Sequence, residues 1–79
     1  MIENKKILIL GMARSGYEVA KLLSNAKNTI IITDQKDQEE RQIEELKNLG
    51  ITFIKSDEPE TILDESFDLL IKNPAVFPF

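Results

Sequence analysis

Short apolar segments that stop abruptly at glycine, aspartate or lysine constrain the fold of this chain more than any other feature. Four of them follow one another, at residues 7–10, 29–33, 51–54 and 67–71. Segments that are apolar at successive positions are typical of strands buried inside a parallel sheet that helices cover. The third is more alternating, as expected nearer an edge of the sheet. We therefore predict four strands.

The segments between the predicted strands have helical periodicity. In the first, apolar residues at i, i+3, i+4 and i+7 define one helix face: Val19, Leu22, Leu23 and Ala26. In the second, a narrower apolar stripe comprises Ile43, Leu46 and Leu49. Gly50 then suits a left-handed helix cap. Pro59 suits the first position of a short helix, with Ile62 and Leu63 facing inward.

Alternating strands and helices with short links predict right-handed βαβ units. The expected fold is α/β: one Rossmann-like three-layer domain, residues 1–79, with a four-stranded parallel sheet in the order 3-2-1-4. A fifth strand would normally follow beside the fourth, and we expect the chain to end before it, as a fragment of a longer protein. An uncovered strand edge and the phenylalanines Phe77 and Phe79 would then favour self-association.

Composition excludes several classes of function. The 79 residues carry a net charge of −4 with no cysteine and no histidine. This argues against a basic nucleic-acid interface, disulfides, zinc sites built on Cys or His, and Ser-His-Asp or Cys-His catalysis. Since no apolar stretch reaches about 18 residues, we expect no membrane span and a cytoplasmic location.

Ligands of open α/β sheets bind at the carboxyl ends of the strands, beside the point where strand order reverses. Three segments should converge there, at residues 11–16, 34–36 and 72–74. We find no paired carboxylates in a cleft and no general base with a partner. The sequence therefore predicts binding and offers no catalytic residues.

The segment Gly11-Met12-Ala13-Arg14-Ser15-Gly16 joins a predicted strand to a helix N-terminus. Free backbone N–H groups and the helix dipole favour an anion such as a diphosphate there. Gly11 permits a tight turn and Gly16 a close approach of helix to strand. Ala13 stands where the dinucleotide fingerprint has its middle glycine, and Tyr17 where a Walker A loop has lysine. The alternative is that both glycines serve only turn geometry and packing.

Two further positions are candidate ligand contacts. Asp34 ends the second strand, where a carboxylate can accept hydrogen bonds from a ribose hydroxyl or a base N–H; the alternative is a turn or N-cap aspartate. Asn73 follows the fourth strand and offers an amide, whereas Asn73-Pro74 could equally be a simple strand terminator.

These segments, in this order, resemble the N-terminal domain of the Mur ligases. The resemblance is carried by the residues from Lys6 to Gly16, by Ile32-Thr33-Asp34, by Leu49-Gly50-Ile51 and by the stretch from Leu63 to Pro74. It is strongest to the D-glutamate-adding members of the family. It implies a three-domain ATP-dependent ligase of peptidoglycan synthesis, of which this chain would be the domain that binds the UDP part of the substrate.

The resemblance also implies partners and residue roles. The substrate would be UDP-N-acetylmuramoyl-L-alanine, and ATP and magnesium would bind to other domains of the parent enzyme, with no cofactor in this fragment. Three residues at the loop-to-helix junction would contact the diphosphate: Arg14, Ser15 and Gly16. Asp34, Gln35 and Lys36 would hold the uracil, and Asn73 would lie near the diphosphate. A regulatory module that binds NAD is the alternative function, and Ala13 is the feature that disfavours it.

Overall fold

A computed structural model of the chain describes residues 3–24, 27–72 and 75–78. The strands are β1 (Lys6–Leu10), β2 (Thr29–Asp34), β3 (Thr52–Lys55), β4 (Leu69–Lys72) and β5 (Ala75–Pro78). The helices are α1 (Ala13–Leu23) and α2 (Glu40–Asn48), and Pro59–Ile62 form a 3₁₀ turn. Strand and helix alternate up to β4, as the apolar segments predict.

The strands form one sheet in the order β3-β2-β1-β4-β5. In the centre, Leu8 of β1 is in register with Ile31 of β2 on one side and Leu70 of β4 on the other, and both pairings are parallel. β3 pairs in parallel with the outer side of β2. The predicted parallel order 3-2-1-4 is confirmed, and it places the ends of β1, β2 and β4 side by side at one edge of the sheet.

β5 corrects the expectation that the chain stops short of a fifth strand. It runs antiparallel to β4, with Ala75 opposite Lys72 and Pro78 opposite Leu69. The β4 edge that was expected to be uncovered is therefore paired. This strand was not predicted from the sequence because proline cannot donate a hydrogen bond within a sheet and therefore argues against a central strand. An edge strand, such as β5, tolerates proline.

Among the described residues, both α-helices pack on the same face of the sheet. Ile7, Ile9, Ile30 and Ile32 point to this face and share one hydrophobic cluster with Ala20 of α1 and Leu46 of α2. Burying each such side chain contributes roughly 1.5–3 kcal/mol. The core therefore lies between the helices and the central strands, directly below the carboxyl end of β1.

The inward face of α1 differs from the predicted stripe. Leu22 is 74% exposed, whereas Tyr17 and Ala20 are buried and Val19 and Leu23 are partly buried. Ala26, the fourth predicted member, lies outside the described residues. In α2, Leu46 is fully buried, but Leu49 is 43% exposed because the helix ends at Asn48. As predicted, Gly50 adopts a left-handed conformation, with φ of 79°.

The opposite face of the sheet carries Leu8, which is buried, and Ile31 and Leu70, which are half-buried. Because β4 lies on the other side of β1 from β3, a right-handed connection from β3 to β4 crosses this face. That connection contains the 3₁₀ turn, and Ile62 and Leu63 are half-buried in it, so the third layer is thin. None of the helices in the described part of the chain is long and apolar enough to span a membrane.

Candidate functional site

The turn between β1 and α1 depends on two glycines with different roles. Gly11 adopts φ of 91°, which L-amino acids with side chains rarely tolerate, and its N–H donates to the carbonyl oxygen of Thr33 at 2.8 Å. Gly16 is buried, and a Cβ added there would collide with the carbonyl group of Gly11. The first glycine therefore lets the chain turn, and the second lets α1 begin close against β1.

The N-terminus of α1 opens at this turn. Met12 is the N-cap and provides no side-chain hydrogen bond, while Ala13, Arg14 and Ser15 form the first turn of the helix. The first N–H groups of an α-helix have no partner within the helix, and the dipole places partial positive charge there. The first turn also contains no acidic residue. These features favour an anion at this end of α1.

Asp34 lies beside that turn and accepts hydrogen bonds through both carboxylate oxygens. Oδ2 accepts the backbone N–H of Met12 at 2.9 Å, and Oδ1 accepts the backbone N–H of Lys36 at 3.1 Å. The second contact is a local turn of the kind that aspartate often forms. The first joins the end of β2 to the start of α1 across 22 residues of sequence. The turn or capping interpretation of Asp34 thus has direct support.

The ionisation of Asp34 reflects these contacts. Partial burial opposes the charged form, but N–H groups of Met12, Lys36 and Gln35 and the nearby Lys36 cation outweigh it. The pKa of Asp34 is therefore lowered from its ordinary value. At neutral pH the site contains a carboxylate whose charge is already compensated by backbone donors.

Gln35 and Lys36 follow β2 on the exposed rim of the site. The side-chain amide of Gln35 donates to the backbone carbonyl of Asp57 at 3.1 Å, which ties this rim to the segment after β3. Lys36 is exposed, and its backbone rather than its ammonium group makes the contact with Asp34. A cation on this rim can attract an anionic ligand.

Asn73 lies outside the described residues, so its predicted contact stays a prediction. β4 ends at Lys72, which is opposite Leu10 in the parallel register. The end of β4 therefore lies next to the end of β1. Of the three segments predicted to converge, the first two are joined by the Met12–Asp34 hydrogen bond. The third begins at the end of β4, which is the strand next to β1.

A group of side chains that the sequence analysis did not single out braces α1 against α2. The Tyr17 hydroxyl donates to Glu45, the Lys21 ammonium lies 2.8 Å from the Glu45 carboxylate, and the same ammonium lies 5.0 Å from the Tyr17 ring centre. The i, i+4 spacing of Tyr17 and Lys21 could have suggested a shared helix face. The hydrogen bond to Glu45 raises the pKa of Tyr17, and the one from Lys21 lowers the pKa of Glu45.

Thr33 adds an unusual feature next to Asp34. It is fully buried, and its hydroxyl has no hydrogen-bond partner among the described residues. An unsatisfied buried hydroxyl is costly. Its backbone carbonyl is nevertheless used, as the acceptor for Gly11.

The described residues do not provide a metal site made of protein side chains alone. They contain no group of three acidic or other metal-binding side chains that could hold a metal ion. The turn also lacks the lysine that a phosphate loop for ATP requires, because Tyr17 follows Gly16. The free N–H groups at the start of α1 suit the binding of an anion.

Comparisons with known proteins identify close relatives. The chain is similar to UDP-N-acetylmuramoylalanine--D-glutamate ligase from Staphylococcus aureus strain MW2, with 37% identity over 76 residues, and from Geobacillus sp. strain WCH70, with 40% identity over 75 residues. These matches cover 95% and 94% of the chain but only 17% of each relative's length. No protein-family model matches the chain. The chain is thus homologous to one segment of the D-glutamate-adding ligases, which are Mur ligases.

Proposed function

We propose that this chain is the N-terminal domain, residues 1–79, that binds the UDP part of UDP-N-acetylmuramoyl-L-alanine for a D-glutamate-adding ligase of peptidoglycan synthesis. The observation that carries the proposal is the 37–40% identity over nearly the whole chain to ligases of that name. The uncapped start of α1 beside β2 supports it, because a nucleoside diphosphate needs an anion site next to a polar rim.

Each residue then has a defined role. Arg14, Ser15 and Gly16 bind the diphosphate at the start of α1. The segment from Asp34 through Gln35 to Lys36 borders the uracil, and Asn73 lies near the diphosphate. Gly11 shapes the turn, and Ala13, in place of the middle glycine of the dinucleotide fingerprint, disfavours NAD.

The ligation itself belongs to a larger protein in this proposal, acting in the cytoplasm. ATP and magnesium would be held by domains other than this one; the lack of the phosphate-loop lysine after Gly16 supports this. ATP would supply a phosphoryl group to activate the substrate carboxylate. This domain contributes orientation: it holds the UDP end so that the carboxylate at the other end of the substrate is presented to those domains.

The proposal is tested by recording amide NMR spectra of the chain with UDP-N-acetylmuramoyl-L-alanine, UDP and NAD. We expect the first two to shift the amides of Gly11, Gly16 and Gln35, with dissociation constants at or below the millimolar range, and NAD to compete poorly. Shifts caused by NAD alone would favour the dinucleotide alternative. An absence of shifts with all three would contradict a nucleotide-binding function.

A kinetic test applies to the intact ligase that carries this segment. Asp34→Ala should raise the KM for the UDP substrate and leave the KM for ATP nearly unchanged. An equal increase in both would contradict a role of this segment in the UDP site.

A further inference from the structure

We propose that Lys72, the last residue of β4, contacts the second phosphate of the nucleotide, the one remote from the uridine. This inference rests on the proposed function for the identity of the ligand, and Lys72 has no role in that proposal. It assigns to this lysine the selection of a nucleoside diphosphate over a monophosphate.

The order of the strands sets the direction in which the nucleotide lies. The proposed uracil rim, residues 34–36, lies at the end of β2, and the start of α1 follows β1. β1 lies between β2 and β4 in the sheet. A nucleotide whose base lies beside β2 and whose first phosphate lies at the start of α1 therefore extends toward the end of β4.

The register places Lys72 at the edge of this site. Lys72 is directly opposite Leu10, the residue before Gly11, and neighbouring strands are about 4.8 Å apart. Ile71 packs in the core cluster on the α1 side of the sheet. Because successive residues of a strand point to opposite faces, Lys72 lies on the other side. An anion at this edge would therefore have the N–H groups of α1 on one side and the Lys72 ammonium group on the other.

Lys72 is also available to a ligand. Its side chain is exposed, and the ion pairs found within the described ranges engage Lys21 and Lys55 instead. A lysine ammonium group is a compact charge on a flexible stem, which suits contact with a phosphate. Because the chain as a whole has a net charge of −4, attraction of a diphosphate depends on cations that are placed locally.

The test compares the dissociation constants of UMP and UDP, measured by amide NMR titration of the chain. We expect Lys72→Met to weaken UDP binding by about fivefold and UMP binding by less than about twofold, because only UDP has the second phosphate. Lys72→Arg retains the charge and should restore the preference for UDP. An equal loss for UMP and UDP in Lys72→Met, or no loss for either, would overturn the inference.

Two further lysine variants separate a local contact from general attraction. Lys47 is exposed and lines a cavity with Thr52, the first residue of β3, at the other end of the sheet. Lys47→Met should leave both dissociation constants unchanged. Lys36→Met removes a charge from the uridine side of the site and should change the ratio of the two constants less than Lys72→Met does. An equal change of the ratio in Lys36→Met would overturn the assignment of the second phosphate to Lys72.

Inorganic pyrophosphate separates failure of this inference from failure of the proposed function. If the wild-type chain binds pyrophosphate but neither nucleotide, the proposed function fails, and a weaker pyrophosphate affinity in Lys72→Met supports Lys72 as a phosphate contact. An unchanged pyrophosphate affinity in that variant overturns the contact. If the wild-type chain binds none of the three probes, both proposals fail.

Discussion

The two ends of the parallel sheet use aspartates in the same way but in different surroundings. At the amino end, the Asp68 carboxylate accepts the N–H of Lys6 at 2.8 Å while the Asp68 N–H donates to the Lys6 carbonyl at 2.7 Å. At the carboxyl end, Asp34 accepts the N–H of Met12. Asp68 is exposed and joins two neighbouring strands, whereas Asp34 is half-buried and shapes a turn.

The surroundings decide what each contact is worth. At the amino end, the Lys6 ammonium donates to the Ser66 hydroxyl, which in turn donates to Asp64. The same ammonium lies 4.4 Å from the centre of the Phe67 ring. These exposed contacts are screened by water, and each contributes little. At the carboxyl end, the half-buried Asp34 carboxylate binds the backbone of the turn that contains Gly11. We infer that the contacts at the amino end hold neighbouring strands together, and that those at the carboxyl end fix the shape of the turn for a ligand.

The largest effect should come from Gly16→Ala at the carboxyl end. The added methyl group would meet the carbonyl of Gly11, so α1 must move away from β1, at a cost of about 3 kcal/mol. A domain of this size usually has only about 3–5 kcal/mol of stability. Urea denaturation followed by circular dichroism should therefore find the variant with only about 0–2 kcal/mol of stability left and a much lower urea midpoint.

Gly50→Ala is the matched control, because a Cβ at Gly50 meets no atom within 4 Å although φ is 79°. It should cost only about 1 kcal/mol, from the left-handed conformation alone. If both variants lose the same free energy of unfolding, close packing of Gly16 against Gly11 does not make this turn more sensitive to substitution than Gly50.

The aspartates come next. Asp34→Ala should lower the free energy of unfolding by about 1.5 kcal/mol, because it leaves the N–H of Met12 without its charged acceptor in a half-buried place. Asp68→Ala should cost about 0.5 kcal/mol, since water can replace an exposed acceptor. If urea denaturation gives the same loss of unfolding free energy for both variants, the two aspartates contribute equally and the two ends of the sheet do not differ in this respect.

Acid should affect the carboxyl end more than the amino end. The pKa of Asp34 is lowered through backbone donors that outweigh burial, and the pKa of Asp64 is lowered first by the Ser66 hydroxyl. A lowered pKa contributes stability that is complete above the unfolded value of about 3.9 and is lost as pH falls through the folded value. We expect unfolding free energies measured from about pH 5 to pH 2 to fall with pH.

The slope of that decrease distinguishes the ends. Asp34→Asn should flatten it more than Asp64→Asn does, because Asp64 is exposed and its contacts are screened. A larger flattening from Asp64→Asn would show that acid sensitivity lies at the amino end.

The smallest effect should come from Tyr17→Phe, which removes the hydroxyl that donates to Glu45 and keeps the buried ring. Because Glu45 retains Lys21 at 2.8 Å, the unfolding midpoint should drop by only about 2–4 °C. Glu45→Gln should cost at least as much, since it weakens both contacts. A larger drop for Tyr17→Phe would mean that the brace between the helices fixes the turn more than Asp34 does.

Much of the fold was predictable because the buried strands are continuous apolar segments whose ends carry glycine or aspartate. Their parallel order 3-2-1-4 follows from short connections and a fixed crossover hand. β5 was not predicted because it is only four residues long and contains a proline, which is rare in strands other than edge strands. Leu22 was assigned inward because the assumed stripe took no account of Tyr17 and Ala20, which the core buries instead.

The candidate site was predictable in position but not in detail. The glycines at the turn and Asp34 at the end of β2 were identified from residue type and spacing. The partner of Asp34 was not, because it is a backbone N–H of Met12, and every residue except proline has such a group. Tyr17 and Glu45 meet only through tertiary packing of α1 on α2, which no local pattern encodes.

The antiparallel direction of β5 has a practical consequence for attaching anything to this molecule. Pro78 is opposite Leu69, the first residue of β4, and Leu69 is opposite Ile7 near the start of β1. Lys6 and Pro78 therefore emerge from the same rim, the one remote from Gly11. A fluorophore, a surface tether or a further polypeptide joined at either place would leave the mouth of the turn unobstructed.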